Sequence, residues 1–379
     1  MRRTRQRGNV RKHSDPYQRT GRHSLDGDNA VSGSSSNSSI SALWEPLVAI
    51  RPDLLRQDSD LESEAADPPD WRTRLTADQL ASLSAREAKR QDVINELFHT
   101  ERSHVRNMKV LDKLFRRPLM ESGLMPREVV ERLFPNIDDV ISVHSSYNNA
   151  MRNLMEGGFP IADIGETLSD MFLGSYGEKL ISVGAEFTKN QKFTMEELKR
   201  IRQRDGRIEQ KLCELESNPA CRRLQLQSML AWEHHRLVKY PLLLQQIMKY
   251  TAEDSPEMDI VKEVLARTKE ILNSIDKEVA EAQNKRNLEE LQRSLDTSGL
   301  EKMGPDNPVF MEYRNVDLTK LRLIYDGQLT LNLGGENRRV KNIELYVLLL
   351  EDCVMFLQVL PTPPVTRYLN VNVCVAEAR

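Results

Sequence analysis

The chain has 379 residues and a formal net charge of -3 at pH 7, enough length for two or three domains and too little positive charge to make nucleic acid the main partner. Its cysteines, Cys213, Cys221, Cys353 and Cys374, form no CxxC pair, which argues for a reducing compartment and against a disulfide framework or zinc site. No apolar run approaches the roughly 20 residues that span a bilayer, and no secretory signal follows the basic start, so the sequence reads as cytoplasmic.

Residues 1–75 are polar, basic and then acidic, with a serine-rich run from Ser32 to Ser39. Such a stretch buries too little apolar surface to offset its ordering entropy and is expected to be disordered. The acidic cluster Asp58, Asp60, Glu62, Glu64, Asp67 and Asp70 leads to a lone Trp71.

From about residue 85 to 300 the pattern becomes that of long helices. Ile94, Leu97, Val105, Met108 and Phe115 mark one stripe; Val129, Val130, Leu133, Ile137 and Val140 mark a second, opened by Pro126 at a first helical position. Glu101 falls on or beside the first stripe, where a carboxylate is costly to bury unpaired. Two readings stay open for it: a solvated side chain at the stripe edge, or an acid held for a partner. A last helix, capped by Ser255-Pro256, carries Ile260, Val264, Leu265, Thr268, Ile271, Ile275 and Val279 and runs to Arg293 or beyond. The fold class predicted is an elongated all-α helical bundle.

Residues 301–319 read as a linker. After them the period becomes two: Leu329, Leu331 and Leu333 alternate, Gly334–Asn337 turns, and Ile343, Leu345 and Val347 alternate again. Leu348–Leu350 and Val354–Leu357 read as strands around Glu351-Asp352. This incomplete β segment, 320–358, is followed by a proline-bearing tail, 359–379, with no amphipathic helix. Its apolar faces would be left uncovered. Arg338, Arg339 and Lys341 sit near a strand turn, placed for weak contact with anionic lipid.

The most distinctive stretch runs from Ala220-Cys221-Arg222-Arg223-Leu224-Gln225-Leu226-Gln227 on to Arg236-Leu237-Val238-Lys239-Tyr240-Pro241-Leu242-Leu243-Leu244. It reads as a basic, amphipathic helix passing through a proline. Proline inside a helix costs about 3 kcal/mol, so packing on Leu237, Tyr240, Leu244, Ile247 and Met248 must hold the helix together.

With Arg90-Gln91, Ile94-Asn95-Glu96-Leu97, Leu124-Met125-Pro126-Arg127-Glu128, Asp317-Leu318-Thr319-Lys320 and Val347–Asp352, this stretch resembles a Dbl-homology domain followed by the start of a pleckstrin-homology domain. Within that family it is most similar to the RGS-containing, Rho-specific exchange factors, over roughly residues 70–358. The resemblance implies a guanine nucleotide exchange factor for a Rho-family GTPase, without covalent chemistry and without a metal or cofactor; no GxxxxGK[ST] loop for the nucleotide itself occurs. It implies that Glu101, Arg236, Lys239, Leu243 and Asp276 meet the GTPase switches, and that Trp71, Arg222, Arg223 and His235 extend the contact. Two positions depart from the family: His235 stands where glutamine is usual, and Asp276 where an asparagine faces switch II. The aspartate loses the amide donors, so a weakened exchange factor, or a silent Rho-binding scaffold, is the alternative.

Overall fold

The computed structural model describes residues 70–296, 304–306, 311, 313–333, 341–360 and 367–372. The expectations for 1–69, for the turn at 334–337, for Arg338 and Arg339, for the Lys341 side chain and for Cys374 lie outside the described residues.

Helix α1 (Ala85–Val110) starts at Ser84, whose hydroxyl accepts from the Glu87 amide at 3.1 Å, one of the donors a helix start leaves unpaired. It continues through a π-helical stretch, Leu111–Arg116, into Arg117–Ser122, and Gly123 ends it at φ +61°, where a Cβ would be strained. The widened turn brings Asp112 between Arg116 (2.6 Å) and Arg117 (2.9 Å). The second stripe is broken at Phe134-Pro135-Asn136. Residues Arg127–Leu133 form one helix with Pro126 as its cap rather than its first residue, and α2 (Ile137–Glu156) follows.

Arg90 and Gln91 pin the next crossing. The Gln91 amide both donates to the Ile161 carbonyl (2.8 Å) and accepts from its amide (2.9 Å). Arg90 binds the same carbonyl at 2.9 Å and pairs with Glu257, which accepts from the Ile164 amide. Helices α3 (Gly165–Phe172) and α4 (Gly174–Thr188) meet at a corner where a Cβ on Gly177 would lie 2.1 Å from the Phe172 carbonyl oxygen. On α4, Gly184 lets two helices close in: a Cβ there would meet Leu237 at 3.0 Å and Ile275 at 3.1 Å.

Those helices are α5 (Trp232–Tyr250), with Pro241 buried inside it, and α6 (Met258–Ser294). The sequence reading of one helix from Ala220 onward is corrected here. A 3₁₀ turn (Pro219–Cys221), a bend and a short helix (Leu226–Met229) precede α5. Arg222 and Arg223 sit at φ 51° and 63°, a left-handed geometry no helix can pass through. The start of α6 also differs: Ser255-Pro256 lies in the turn before it, and Glu257 is the cap.

Helix α6 is 37 residues long, about 55 Å at 1.5 Å per residue, and joins two cores. Val261, Val264, Leu265, Ile271 and Ile275 enter the bundle core. Leu288 and Leu291 enter a second cluster with Tyr313, Leu318, Leu323, Leu348, Leu350, Met355 and Leu357. The expected linker thus contributes two buried side chains, Tyr313 and Leu318, to that core.

The strands are β1 (Leu295–Asp296), β2 (Leu323–Leu333), β3 (Lys341–Leu350), β4 (Val354–Leu360) and β5 (Arg367–Asn372), in the order β1-β5-β4-β3-β2. All pairs are antiparallel except β1 with β5. The expected tail at 359–379 is therefore corrected: it supplies the end of β4 and all of β5, which also pairs with the two residues leaving α6. Leu348 and Met355 are opposite each other and face α6, while Val347 and Phe356, also opposite each other, face away.

Candidate functional site

Helix α5 lies between α1 and α6 and runs antiparallel to α1, as contacts along their length show: Arg86 with the Tyr250 carbonyl, Glu101 with Arg236, His104 with Glu233. Side chains of α1, α2 and α5 meet between the helices in a buried ion cluster. Glu101, with no exposed surface, accepts from Arg236 Nε (2.8 Å), the Tyr240 hydroxyl (2.6 Å) and His144 Nδ1 (2.7 Å). The other His144 nitrogen faces Glu233 at 3.3 Å, and Glu233 also receives His104 Nε2 at 2.9 Å. Arg236 uses its remaining donors on the Thr100 hydroxyl (2.7 Å) and the Leu97 carbonyl (3.2 Å).

The protonation follows from this geometry. Burial alone would lower the pKa of His144, but Glu233 and Glu101, one on each ring nitrogen, hold it up at about 10. Burial would raise both carboxylates, yet Arg236 and His144 for Glu101, and His144 and His104 for Glu233, pull them well below the usual range. His104 is pushed down by burial and by the neighbouring His144 cation, and so is neutral. Two carboxylates and two cations then balance, the condition under which buried charge is tolerated.

His104, His144 and Glu233 also have ligand atoms within 4.8 Å of one another, a donor set that suits a divalent ion. Charge argues for the proton instead. With one proton on His144 the cluster is neutral; a dication replacing it would leave an excess positive charge in the core.

This arrangement corrects four of the expected contact residues. Glu101 and Arg236 spend their polar groups on each other and on the cluster, so neither reaches the surface. The edge position considered for Glu101 is ruled out as well: it lies seven residues after Ile94 and four after Leu97, in the middle of the buried stripe. Leu243 is 6 % exposed and belongs to the core. Trp71 is 1 % exposed; its indole donates to Asp92 at 2.9 Å and its ring lies 6.0 Å from that of Phe159. It fastens the segment before α1 onto the bundle and presents no ring to a partner.

The surface of α5 is instead a stripe of His235, Lys239, Leu242 and Gln246, all exposed and spaced by four, three and four residues. Leu242 is 52 % exposed, a large apolar side chain set among polar ones. The helix register places Glu96, exposed on α1, level with the turn from Lys239 to Leu242. Ile275 and Leu237 converge on Gly184, so exposed Asp276 on α6 is level with His235. Glu96, Leu242 and Gln246 were missed as site residues. A helical wheel of α1 separates them in principle, because Glu96 falls about 140° from Glu101 at 100° per residue.

Arg222 and Arg223 are exposed on the bend before α5. Their left-handed backbone costs roughly 1–2 kcal/mol each, offset by anchors on both sides. Cys221 is buried, the Asn218 side chain caps the 3₁₀ turn at 2.9 Å, and Glu216 accepts from the Leu226 amide while paired with Arg202 at 2.8 Å.

Comparison with known proteins identifies the fold. A RhoGEF domain model matches residues 93–276 and a PH domain model matches residues 307–369. The structure superimposes on the DH/PH fragment of PDZRHOGEF solved in complex with human RhoA, with a TM-score of 0.72 and 38 % identity, covering 76 % of this chain and 80 % of that one. The chain belongs to the RhoGEF family. The DH/PH domains of p115-RhoGEF give a TM-score of 0.68 at 34 % identity, covering 81 % of this chain and 85 % of that one. Among curated relatives, mouse Rho guanine nucleotide exchange factor 12 is 41 % identical over 79 % of this chain and 19 % of its own length. Human Rho guanine nucleotide exchange factor 11 is 39 % identical over 81 % and 20 %. This RhoGEF chain thus spans about a fifth of the length of those relatives. Among the described residues no helix is long and apolar enough to cross a membrane.

Proposed function

We propose that the chain is a guanine nucleotide exchange factor for a RhoA-like GTPase. The observation that carries this reading is the exposed stripe on α5, set between Glu96 and Asp276 and held rigid from behind by a neutral ion cluster. It is a protein-docking face of mixed charge with one apolar anchor, Leu242. Support also comes from solved relatives described as DH/PH fragments in complex with RhoA.

The chemistry asked of such a face is a coupling of two binding events. If the stripe fits the GTPase best when GDP and its magnesium ion are absent, binding it lowers the affinity for GDP by the same factor by which GDP lowers the affinity for the stripe. No bond of the protein is made or broken. Lys239, Leu242, His235, Glu96 and Asp276 would meet the switch regions. Arg222 and Arg223 would meet acidic groups beside them, adding on-rate and selectivity. We place the protein in the cytoplasm, with recruitment to an anionic membrane through the PH segment.

Release of fluorescent GDP from RhoA, with Rac in parallel, tests the proposal. Acceleration for RhoA that is lost in Lys239→Glu, while that variant melts like the parent, is expected. Tight binding of nucleotide-free RhoA without acceleration would instead assign a silent scaffold. Neither binding nor acceleration would sink both readings.

A further inference from the structure

Pro241 lies inside α5 and has no amide proton for the Leu237 carbonyl four residues before it, so the helix lacks one rung of its ladder. The gap divides the exposed stripe. His235 and Lys239 precede it; Leu242 and Gln246 follow it. The first half is tied to α1 by the buried cluster: Glu101 binds Arg236 at 2.8 Å and Tyr240 at 2.6 Å, and His104 reaches Glu233 at 2.9 Å. The second half sinks Leu243, Leu244 and Ile247 into the core. Those contacts set its depth, but apolar burial is non-directional and does not fix its level along α1.

A directional tie for the second half comes from Arg86, in the first turn of α1. Its Nε donates to the Tyr250 carbonyl at 3.1 Å, and its outer nitrogen donates to the Thr251 carbonyl and reaches that of Lys249 at 3.5 Å. The carbonyls at the end of a helix are left without amide partners, and a cation suits its negative end. One turn on, Lys89 lies 5.8 Å over the Tyr250 ring. Arg86 is ten residues before Glu96, about 15 Å along the helix, and so does not meet what docks at Glu96 and Leu242.

We propose that Arg86 is a positioning residue for nucleotide release: it holds the half of α5 beyond Pro241, with Leu242 and Gln246, level with Glu96 on α1. This rests on the reading of the stripe as the GTPase-docking face. A face that favours the nucleotide-free GTPase must present both halves at once, and a small slip of one of them forfeits much of that preference. The loss then falls on the maximal rate rather than on the encounter.

Two readouts on the full chain test the proposal. In Arg86→Ala, amide hydrogen exchange should quicken roughly fivefold over residues 242–250, the worth of about one hydrogen bond, and stay parental over 232–240. The side chain is exposed, so the variant keeps its core. GDP release from RhoA should lose roughly fivefold in maximal rate at an unchanged half-saturating concentration. Arg86→Lys, which keeps a cation at the same carbonyls, should recover most of the rate. In Pro241→Ala, which supplies the missing amide, Arg86→Ala should cost less than about twofold. Parental protection over 242–250 overturns the proposal. Altered protection with a parental maximal rate overturns it too, leaving Arg86 a helix cap only. A rise in half-saturation alone would make Arg86 a contact, and an equal loss in both proline backgrounds would remove its link to Pro241; either overturns it. A parent chain that releases no GDP fails the docking reading, and the role of Arg86 falls with it whatever the amides show.

Discussion

Helices α1 and α5 carry charge on two sides that obey opposite rules. Toward the core, Glu101, Arg236, Glu233 and the histidines are fully enclosed and every charge is cancelled within 3.3 Å. Toward solvent, Glu96, His235 and Lys239 are exposed and lie in a row. The inner set fixes the spacing and rotation of the helices; the outer set is the face that, in our proposal, those fixed helices hold out to a partner. A charged residue in the RhoGEF segment is therefore not a contact residue because it is charged. Which side of the helix it occupies decides.

The largest break between the two sides should come from the inner one. Replacing His144 by leucine, or Glu101 by alanine, leaves a buried charge without its partner and should cost about 3–5 kcal/mol. Thermal or urea unfolding would show it directly. A Glu101→Ala variant that melts like the parent yet fails to release GDP would return Glu101 to the surface role the sequence suggested.

Proton concentration probes the same cluster without mutation. His144 has a folded pKa of about 10 against about 6.5 unfolded, so its stabilisation is complete below pH 6.5 and is lost as the pH rises toward 10. His104, Glu101 and Glu233 are shifted down, so their contributions hold at higher pH and are lost on acidification, His104 first, below about 6.5, then the carboxylates below about 4.5. Stability should peak near pH 6.5 and decline on both sides, by up to about 1.4 kcal/mol per unit on the alkaline limb. In His144→Gln that limb should flatten; an unchanged alkaline slope would show that His144 is not the group responsible.

On the outer side, reversing Arg222 and Arg223 to glutamate should leave melting within about 0.5 kcal/mol of the parent, since both side chains are solvent-exposed. Exchange should fall roughly 10- to 100-fold, mostly through association, and the loss should shrink at high salt. Parallel loss of stability and exchange would mean that the bend, rather than its charge, had been damaged.

The fold was legible in the sequence wherever a period persisted. The stripes of α1 and α6 fall on buried or, at Ile260 and Val279, partly buried positions packed on the core, and the alternation in β2 and β3 falls on paired positions. What escaped depended on residues far apart in the chain. Glu101 finds His144 and Arg236 across 43 and 135 positions, and Trp71 finds Phe159; no local pattern announces such partners. The bend at Arg222 and Arg223 escaped because nothing in their side chains favours a left-handed backbone. Strand β5 escaped because it is held by pairing with β4 and β1 rather than by a period of its own. Family resemblance singled out residues of α1, α5 and α6 by type, and for Glu101, Arg236 and Leu243 type did not reveal that the side chain turns into the core.

The smallest expected effect is at Asp276, and it sharpens the outer side most. The residue is exposed on α6 beside buried Ile275 and level with His235, so changing it should not disturb packing. As an aspartate it accepts but does not donate, whereas an asparagine would do both and carry no charge. If the facing part of the GTPase offers acceptors, Asp276→Asn should speed GDP release by a factor of about 5–10, the worth of one added hydrogen bond of roughly 1 kcal/mol. If it offers a cation, the same change should slow release by a similar factor and steepen nothing with salt. Measuring the rate at two ionic strengths separates these cases, because only the parent's charge pairing is screened. An unchanged rate at both would remove Asp276 from the docking face and leave Glu96, His235, Lys239 and Leu242 to define it.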